Sequence, residues 1–292
     1  IDVSPLKGKR FINLDSEDEG ILTVGCAGGV SAIAEIPLAR KAYEGQAFSI
    51  ALSGFIGGHS GMEIIKGQEN ALKVLGRLLF ELNEKAAARI VTIEGGVADN
   101  VIPVSAKAII VSPKGETVRA LCDKYSAVFA HEFKVDPDFK LSISETDAAQ
   151  APFDAASSQK AIAYLCASPN GIQKMTFGID GLPQTSLSLG ILRTKEDRVE
   201  YTFCIRSSVD SECEMIARRL ESLVKVMGGS IRREGAYPGW EFRMDSPLRD
   251  LVCKVYKEQS GRDMVIEAIH AGLECGFFAG KMPGLDCVSI GP

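Results

Sequence analysis

A chain of 292 residues, 46% hydrophobic and 24% charged, can bury a large core, and at about 100–200 residues per domain it has room for two. Its net charge is −5 and its lysines and arginines are scattered, which excludes the basic face that neutralises nucleic-acid phosphates. No apolar run reaches the roughly 18 residues of a membrane span, and the N-terminal stretch lacks the basic and apolar regions of a secretory leader. The eight cysteines never form a C-x-x-C pair and read as reduced thiols of a cytoplasmic protein. The only histidines are His59, His131 and His270, so a metal site built wholly from this chain would rely on carboxylates.

Residues 9–14 predict a short apolar strand that ends in Asp15-Ser16-Glu17-Asp18-Glu19-Gly20. Carboxylates at the end of a buried strand, where α/β sheets open their ligand crevice, suit a hard or borderline cation; a solvated acidic turn is the plainer alternative. A second apolar stretch, 21–24, runs into Gly25-Cys26-Ala27-Gly28-Gly29, read as a flexible hinge between domains. Strand patterns over 33–40 and 47–55 then lead into LSGFIGGHSG at 52–61. Glycines on both sides of His59 let the backbone approach a ligand, so the imidazole is displayed where it can donate to developing negative charge; a tight turn with a solvated histidine is the alternative.

Leu72, Leu75, Leu78, Leu79 and Leu82 repeat at helical spacing and predict one long helix over 67–88. Strands at 89–94 and 106–111, a helix over 116–133 and a strand at 140–145 complete a β-α-β-β-α-β lobe. His131, near the end of that helix, reads as a partner of the helix dipole. After a connector at 148–158 the pattern partly recurs, with a helix at 158–167, strands at 173–178, 184–193 and 198–206, a helix over 211–227 and a strand at 230–234. Gly235-Ala236-Tyr237-Pro238-Gly239 marks the return to the first domain. A helix at 247–259, a strand at 264–268, a turn at 270–276 and a closing strand before Pro292 follow. The expected division is 1–29 and 236–292 for one domain, split in two, and 30–235 for another, with lobes at 30–147 and 148–235. The two split pieces look too small for a complete sheet with helices on both faces, and the chain reads as an excerpt of a longer enzyme.

Eight stretches taken together, NLDSEDEG with GCAGG, LSGFIGGHSG, DNVIP, GLPQTSLSLG, IRSS, GAYPGW, HAGLECG and VSIGP, resemble the aminoacyl-histidine dipeptidases, the bacterial carnosinase-type di-zinc metallopeptidases. The resemblance implies an α/β fold in which part of a zinc-peptidase catalytic domain carries an inserted α+β lid of two ferredoxin-like lobes. It makes Asp15 a carboxylate ligand to one of two zinc ions, and His59 the residue that polarises the scissile carbonyl. Asn100 and Arg206 hold the far end of the dipeptide, with Thr185 a further substrate contact and His270, like Glu274, a pocket-wall residue. For Arg206 the physics agrees, because a guanidinium fork matches a free carboxylate bidentately. The family's H-x-D motif and Glu-Glu pair are not in this sequence.

The implied reaction is zinc-dependent hydrolysis of Xaa-His dipeptides in the cytoplasm, by a complete enzyme of which this excerpt alone is inactive. Homodimerisation is admitted, and the doubled lid predicts that His59 serves its own chain. Rival readings are a tripeptidase, aminoacylase or carboxypeptidase on the same scaffold, or a non-catalytic assembly module.

Overall fold

A computed structural model describes residues 2–16 and 18–291. Ile1, Glu17 and Pro292, the last two of which figure in the sequence motifs, lie outside the described residues. In chain order the elements are β1 (Arg10–Asn13), β2 (Ile21–Cys26), β3 (Gly28–Pro37), β4 (Gln46–Ser53), β5 (Gly58–His59), a 3₁₀ turn (Ile64–Lys66), α1 (Ala71–Ala86), β6 (Arg89–Gly95), β7 (Val101–Ile102), β8 (Ala106–Ser112), α2 (Gly115–Glu132), β9 (Lys140–Glu145), α3 (Ala155–Ala167), β10 (Gly171–Met175), β11 (Pro183–Thr194), β12 (Arg198–Ser207), α4 (Asp210–Val226), β13 (Ser230–Tyr237), α5 (Pro247–Ser260), β14 (Val265–Ile269), α6 (Glu274–Lys281) and β15 (Asp286–Ile290). Among the described residues no helix is long and apolar enough to cross a membrane.

Two sheets carry the structure. The smaller runs β1-β15-β2-β14, with β1 parallel to β15, β15 antiparallel to β2 and β2 parallel to β14. Successive residues of a strand face opposite sides. Val288 packs with Leu248 of α5 while its neighbour Cys287 packs with Cys275 of α6, so this short sheet has one helix on each face, which the sequence reading had not granted to pieces of this size. The larger sheet runs β13-β3-β12-β11-β6-β8-β4-β9, with β10 added beside β11.

Within the larger sheet β6-β8-β4-β9 and β11-β12-β3-β13 each order their strands second, third, first, fourth, the ferredoxin-like arrangement. The second lobe therefore takes its first strand from β3, whose Gly28–Pro37 pairs with β12 and β13. The first lobe is inserted between that strand and α3, where the linear reading had put the two lobes end to end. The lobes meet through the equivalent strand of each, Leu192 opposite Gly95. Arg193 reinforces the short join, donating from Nη1 to the Gly95 carbonyl at 2.7 Å and from Nη2 to the Gly96 carbonyl at 2.6 Å.

One apolar core spans both lobes, because Leu72, Leu75, Leu78 and Leu82 of α1, Leu165 of α3 and Leu220 of α4 share it with Phe48, Ile110, Leu189 and Phe203 of the sheet. Asn70 starts α1 by accepting from the Leu72 and Lys73 amides and, fully engaged, sends its own NH2 to the Leu189 carbonyl at 2.9 Å. The helix thus begins four residues later than its apolar periodicity alone indicates, where the cap satisfies orphan N–H groups.

The glycine run at 25–29 is a correction to the sequence reading: it is not a hinge. β2 extends through Cys26 and β3 starts at Gly28. Glycine is required there for close approach: a Cβ on Gly28 would stand 2.4 Å from the Gly239 nitrogen, and one on Gly29 would stand 2.7 Å from the Tyr237 hydroxyl. Another correction concerns 270–276, read as a turn, whose last residues open α6.

Candidate active site

His59 sits on the two-residue strand β5, paired with β7 so that His59 lies opposite Val101 and Gly58 opposite Ile102. The adjoining Ser60 amide donates to the Asn100 carbonyl at 2.9 Å, which brings half-buried Asn100 alongside. Gly58 has φ +134°, and a Cβ there would collide with the Glu63 carboxylate at 2.3 Å; that carboxylate accepts from the His59 amide at 2.9 Å. A left-handed backbone and a close carboxylate at one position leave room for glycine alone.

The ring is held by its own turn. His59 Nδ1 accepts from the Gly61 amide at 3.3 Å and the Met62 amide at 3.1 Å, so Nδ1 carries the lone pair and the neutral ring carries its hydrogen on Nε2. Nε2 faces Nη2 of Arg206 at 3.3 Å. A guanidinium offers only donors; two donors therefore face one another with no acceptor between them. Burial, then the Arg206 charge, hold the His59 pKa below the ordinary imidazole value, with Glu63 opposing them in part. At neutral pH His59 is an uncharged N–H donor.

Arg206 is 5% exposed. Its Nη1 donates to the Tyr237 hydroxyl at 2.8 Å, and its Nε finds no hydrogen-bond partner among the described residues. It lies opposite Ser186 across β11 and β12. On that same face the Ser186 hydroxyl bonds His270 Nε2 at 2.6 Å. His270 is 3% exposed, and burial, with Arg206 next, pushes its pKa down to about 4.

Of the six residues singled out from the sequence, His59 and Arg206 meet, His270 joins the Arg206 face through Ser186, and Asn100 adjoins His59 through its backbone carbonyl. Thr185 does not join them. It pairs with Ser207, shares the helix-covered face with Leu187, and its hydroxyl is engaged by that of Ser207 at 2.9 Å. Asp15 is exposed at the rim of a cavity of about 230 Å3 that it lines with Asp18, Thr23, Met62, Glu267 and Ile269. Met62 joins this cavity to the His59 turn. Glu274 stands in the first turn of α6, with the sign that suits the helix dipole, and His131 stands in the last turn of α2. All eight cysteines are unpaired.

Tyr237 and Ser186 were not singled out, though both lie in quoted motifs. The signal for Tyr237 was the small residues that make its slot: a Cβ on Gly272 would stand 2.8 Å from its ring.

Among the described residues no three His, Cys, Asp or Glu side chains are grouped to hold an ion. Asp15 alone does not fit the requirement for about three protein ligands at a catalytic zinc.

Residues 50–137, the first lobe with its His59 loop, match the peptidase dimerisation domain of the M20 type. The cytosol non-specific dipeptidase of Escherichia coli (strain K12) is 35% identical over 292 residues, 98% of this chain and 60% of that protein. The crystal structure of aminoacylhistidine dipeptidase from Vibrio alginolyticus superposes with a TM-score of 0.96 at 34% identity, covering 100% of this chain and 61% of that one. These findings give the chain the α/β fold of the peptidases it matches, with a peptidase dimerisation domain in its first lobe. The chain is similar to these dipeptidases along nearly its whole length, and it spans about 60% of the length of the relatives it matches.

Proposed function

We propose that the whole protein is a cytoplasmic, divalent-metal-dependent dipeptidase, using zinc and acting on Xaa-His dipeptides, and that this chain supplies the groups that grip the substrate's oxygens. The observation that carries the reading is the pair of unsatisfied donors, His59 Nε2–H and Arg206 Nη2, 3.3 Å apart. Two adjacent donors, one on half-buried His59 and one on buried Arg206, await acceptors, and leaving them unpaired costs free energy that ligand oxygens recover. A dipeptide offers two such oxygens, the carbonyl that turns anionic during hydrolysis and the terminal carboxylate. His59 is placed to meet the first, Arg206 with Asn100 the second, and Tyr237 and Ser186–His270 fix the donors in place.

The carboxylates of the 230 Å3 cavity, Asp15 among them, adjoin this gap through Met62. That supports Asp15 as one metal ligand in the whole protein, with the remaining ligands from outside this chain. The match to a peptidase dimerisation domain supports a homodimer, while His59 and Arg206 already meet within one chain.

The test compares free with C-terminally amidated dipeptides in the whole protein. Arg206→Ala should raise KM for free dipeptides by about 1.5–3 kcal/mol of lost charge-assisted binding, and leave amidated ones nearly unchanged. Equal loss on both substrates contradicts the carboxylate assignment. Profiling Xaa-His against other dipeptides and tripeptides separates the substrate classes.

A further inference from the structure

We infer that Asp136, in the turn between α2 and β9, is the positioning residue that sets the His59 loop. Asp136 is 1% exposed. Its Oδ1 accepts from the Ile56 amide at 2.7 Å and its Oδ2 from the Glu69 amide at 3.1 Å. These two amides stand at the two ends of the loop that carries His59, one before it and one just ahead of α1. A single buried carboxylate therefore closes the loop at its neck. A carboxylate is suited to this because it presents acceptors on both oxygens and nothing that repels an N–H.

The surroundings fix where that carboxylate sits. Phe55 at one end of the loop packs against Phe133 and Phe139, which flank Asp136 in sequence, with ring centroids 5.9 Å and 5.3 Å away. Gly54, at φ +84°, lets the β4 end run against the Asp138 carbonyl where a Cβ would overlap it. The loop's interior has few such ties: its tip is held by the β5–β7 pair, the Ser60 amide and the Glu63 carboxylate. Closing a loop at its neck removes conformations that the tip would otherwise sample. The inference is that Asp136 keeps the His59 ring at its place beside Arg206 without touching ring or substrate.

The effect on turnover rests on the oxyanion reading above; the effect on His59 does not. The experiment uses the whole protein with labelled histidine, His59 being assigned by its absence from His59→Gln. In Asp136→Asn the amide keeps one acceptor and turns a donor toward the other N–H. The loosened ring should become more solvated and lie farther from Arg206, so its pKa moves up toward the ordinary imidazole value, and kcat falls about 10–100-fold with KM changed less. Asp138→Asn, altering an exposed carboxylate two residues away, should leave both unchanged.

If His59 titrates in folded Asp136→Asn as it does in the wild type, the proposal is overturned, whatever happens to turnover. If the His59 titration moves and turnover does not, Asp136 does position the loop and it is the oxyanion role of His59 that fails. Should Asp136→Asn not fold, hydrogen exchange in the wild-type protein decides: the Ile56 and Glu69 amides should be strongly protected relative to those of the 62–66 turn. Exchange of all these amides at one rate overturns the proposal.

Discussion

Gly61 and the carbonyl of His270 approach so closely that a Cβ on Gly61 would lie 2.3 Å from that oxygen. The contact joins the His59 turn, which follows the two-residue strand β5, to the loop that follows β14 of the smaller sheet. The same Cβ would stand 3.1 Å from Arg206 Nε and 3.1 Å from His59 Cε1. Glycine is needed here because three groups converge on its open face, the nearest of them rigid backbone.

Gly61→Ala should therefore push the His59 turn away from Arg206. We expect about 1–3 kcal/mol of lost stability from overpacking and a fall in kcat/KM of about tenfold or more. Denaturant unfolding and steady-state kinetics on the whole protein check both, and an alanine tolerated in both measurements would show that the His59 turn and the His270 loop do not meet this closely.

His270 makes stability depend on pH in a defined window. Its folded-state pKa is about 4, held down first by burial, whereas an unfolded histidine titrates near 6.5. Between these values the unfolded chain binds the extra proton, so stability is fully present above about pH 6.5 and is lost as pH falls toward 4. The size is on the order of 3 kcal/mol. His270→Gln, which can still bond Ser186, should flatten that part of the stability profile relative to wild type. Parallel profiles from pH 7 to pH 4 would mean that His270 is not buried as a neutral ring.

Much of this architecture is written in local pattern. The leucines of α1, the alternation along β9 and β12, and the lone histidine among glycines each declare themselves within ten or so residues. Pairing partners do not. Nothing near Gly28–Pro37 says that this strand belongs with β12 and β13, so the nesting of one lobe inside the other stays hidden until the sheet is seen. Glycine is ambiguous in a similar way. At Gly58 it permits a left-handed backbone, while at Gly28 and Gly29 it admits close neighbours in extended strands. α6 escaped notice because its sequence holds two glycines and its cap residue, Leu273, supplies no side-chain bond.

The site shows the same division. His59 and Arg206 stand out by residue type and setting, but Thr185 depends on strand phase, and one step of register separates it from Ser186, which faces the site. The protonated atom of His59 is fixed by two backbone amides, which no composition or spacing reveals.

The central claim is that His59 and Arg206 of one chain, side by side in the site, take the reacting carbonyl oxygen and the terminal carboxylate of one bound dipeptide, and a double-mutant cycle tests it most directly. Binding of a phosphinate dipeptide analogue would be measured by calorimetry to the whole wild-type protein, His59→Ala, Arg206→Ala and the double variant. Neighbouring donors that hold one ligand molecule should be coupled, so the double loss should differ from the sum of the single losses by about 1 kcal/mol or more. Losses that add to within about 0.5 kcal/mol would mean that the two side chains do not act together on one bound ligand, and would contradict the account.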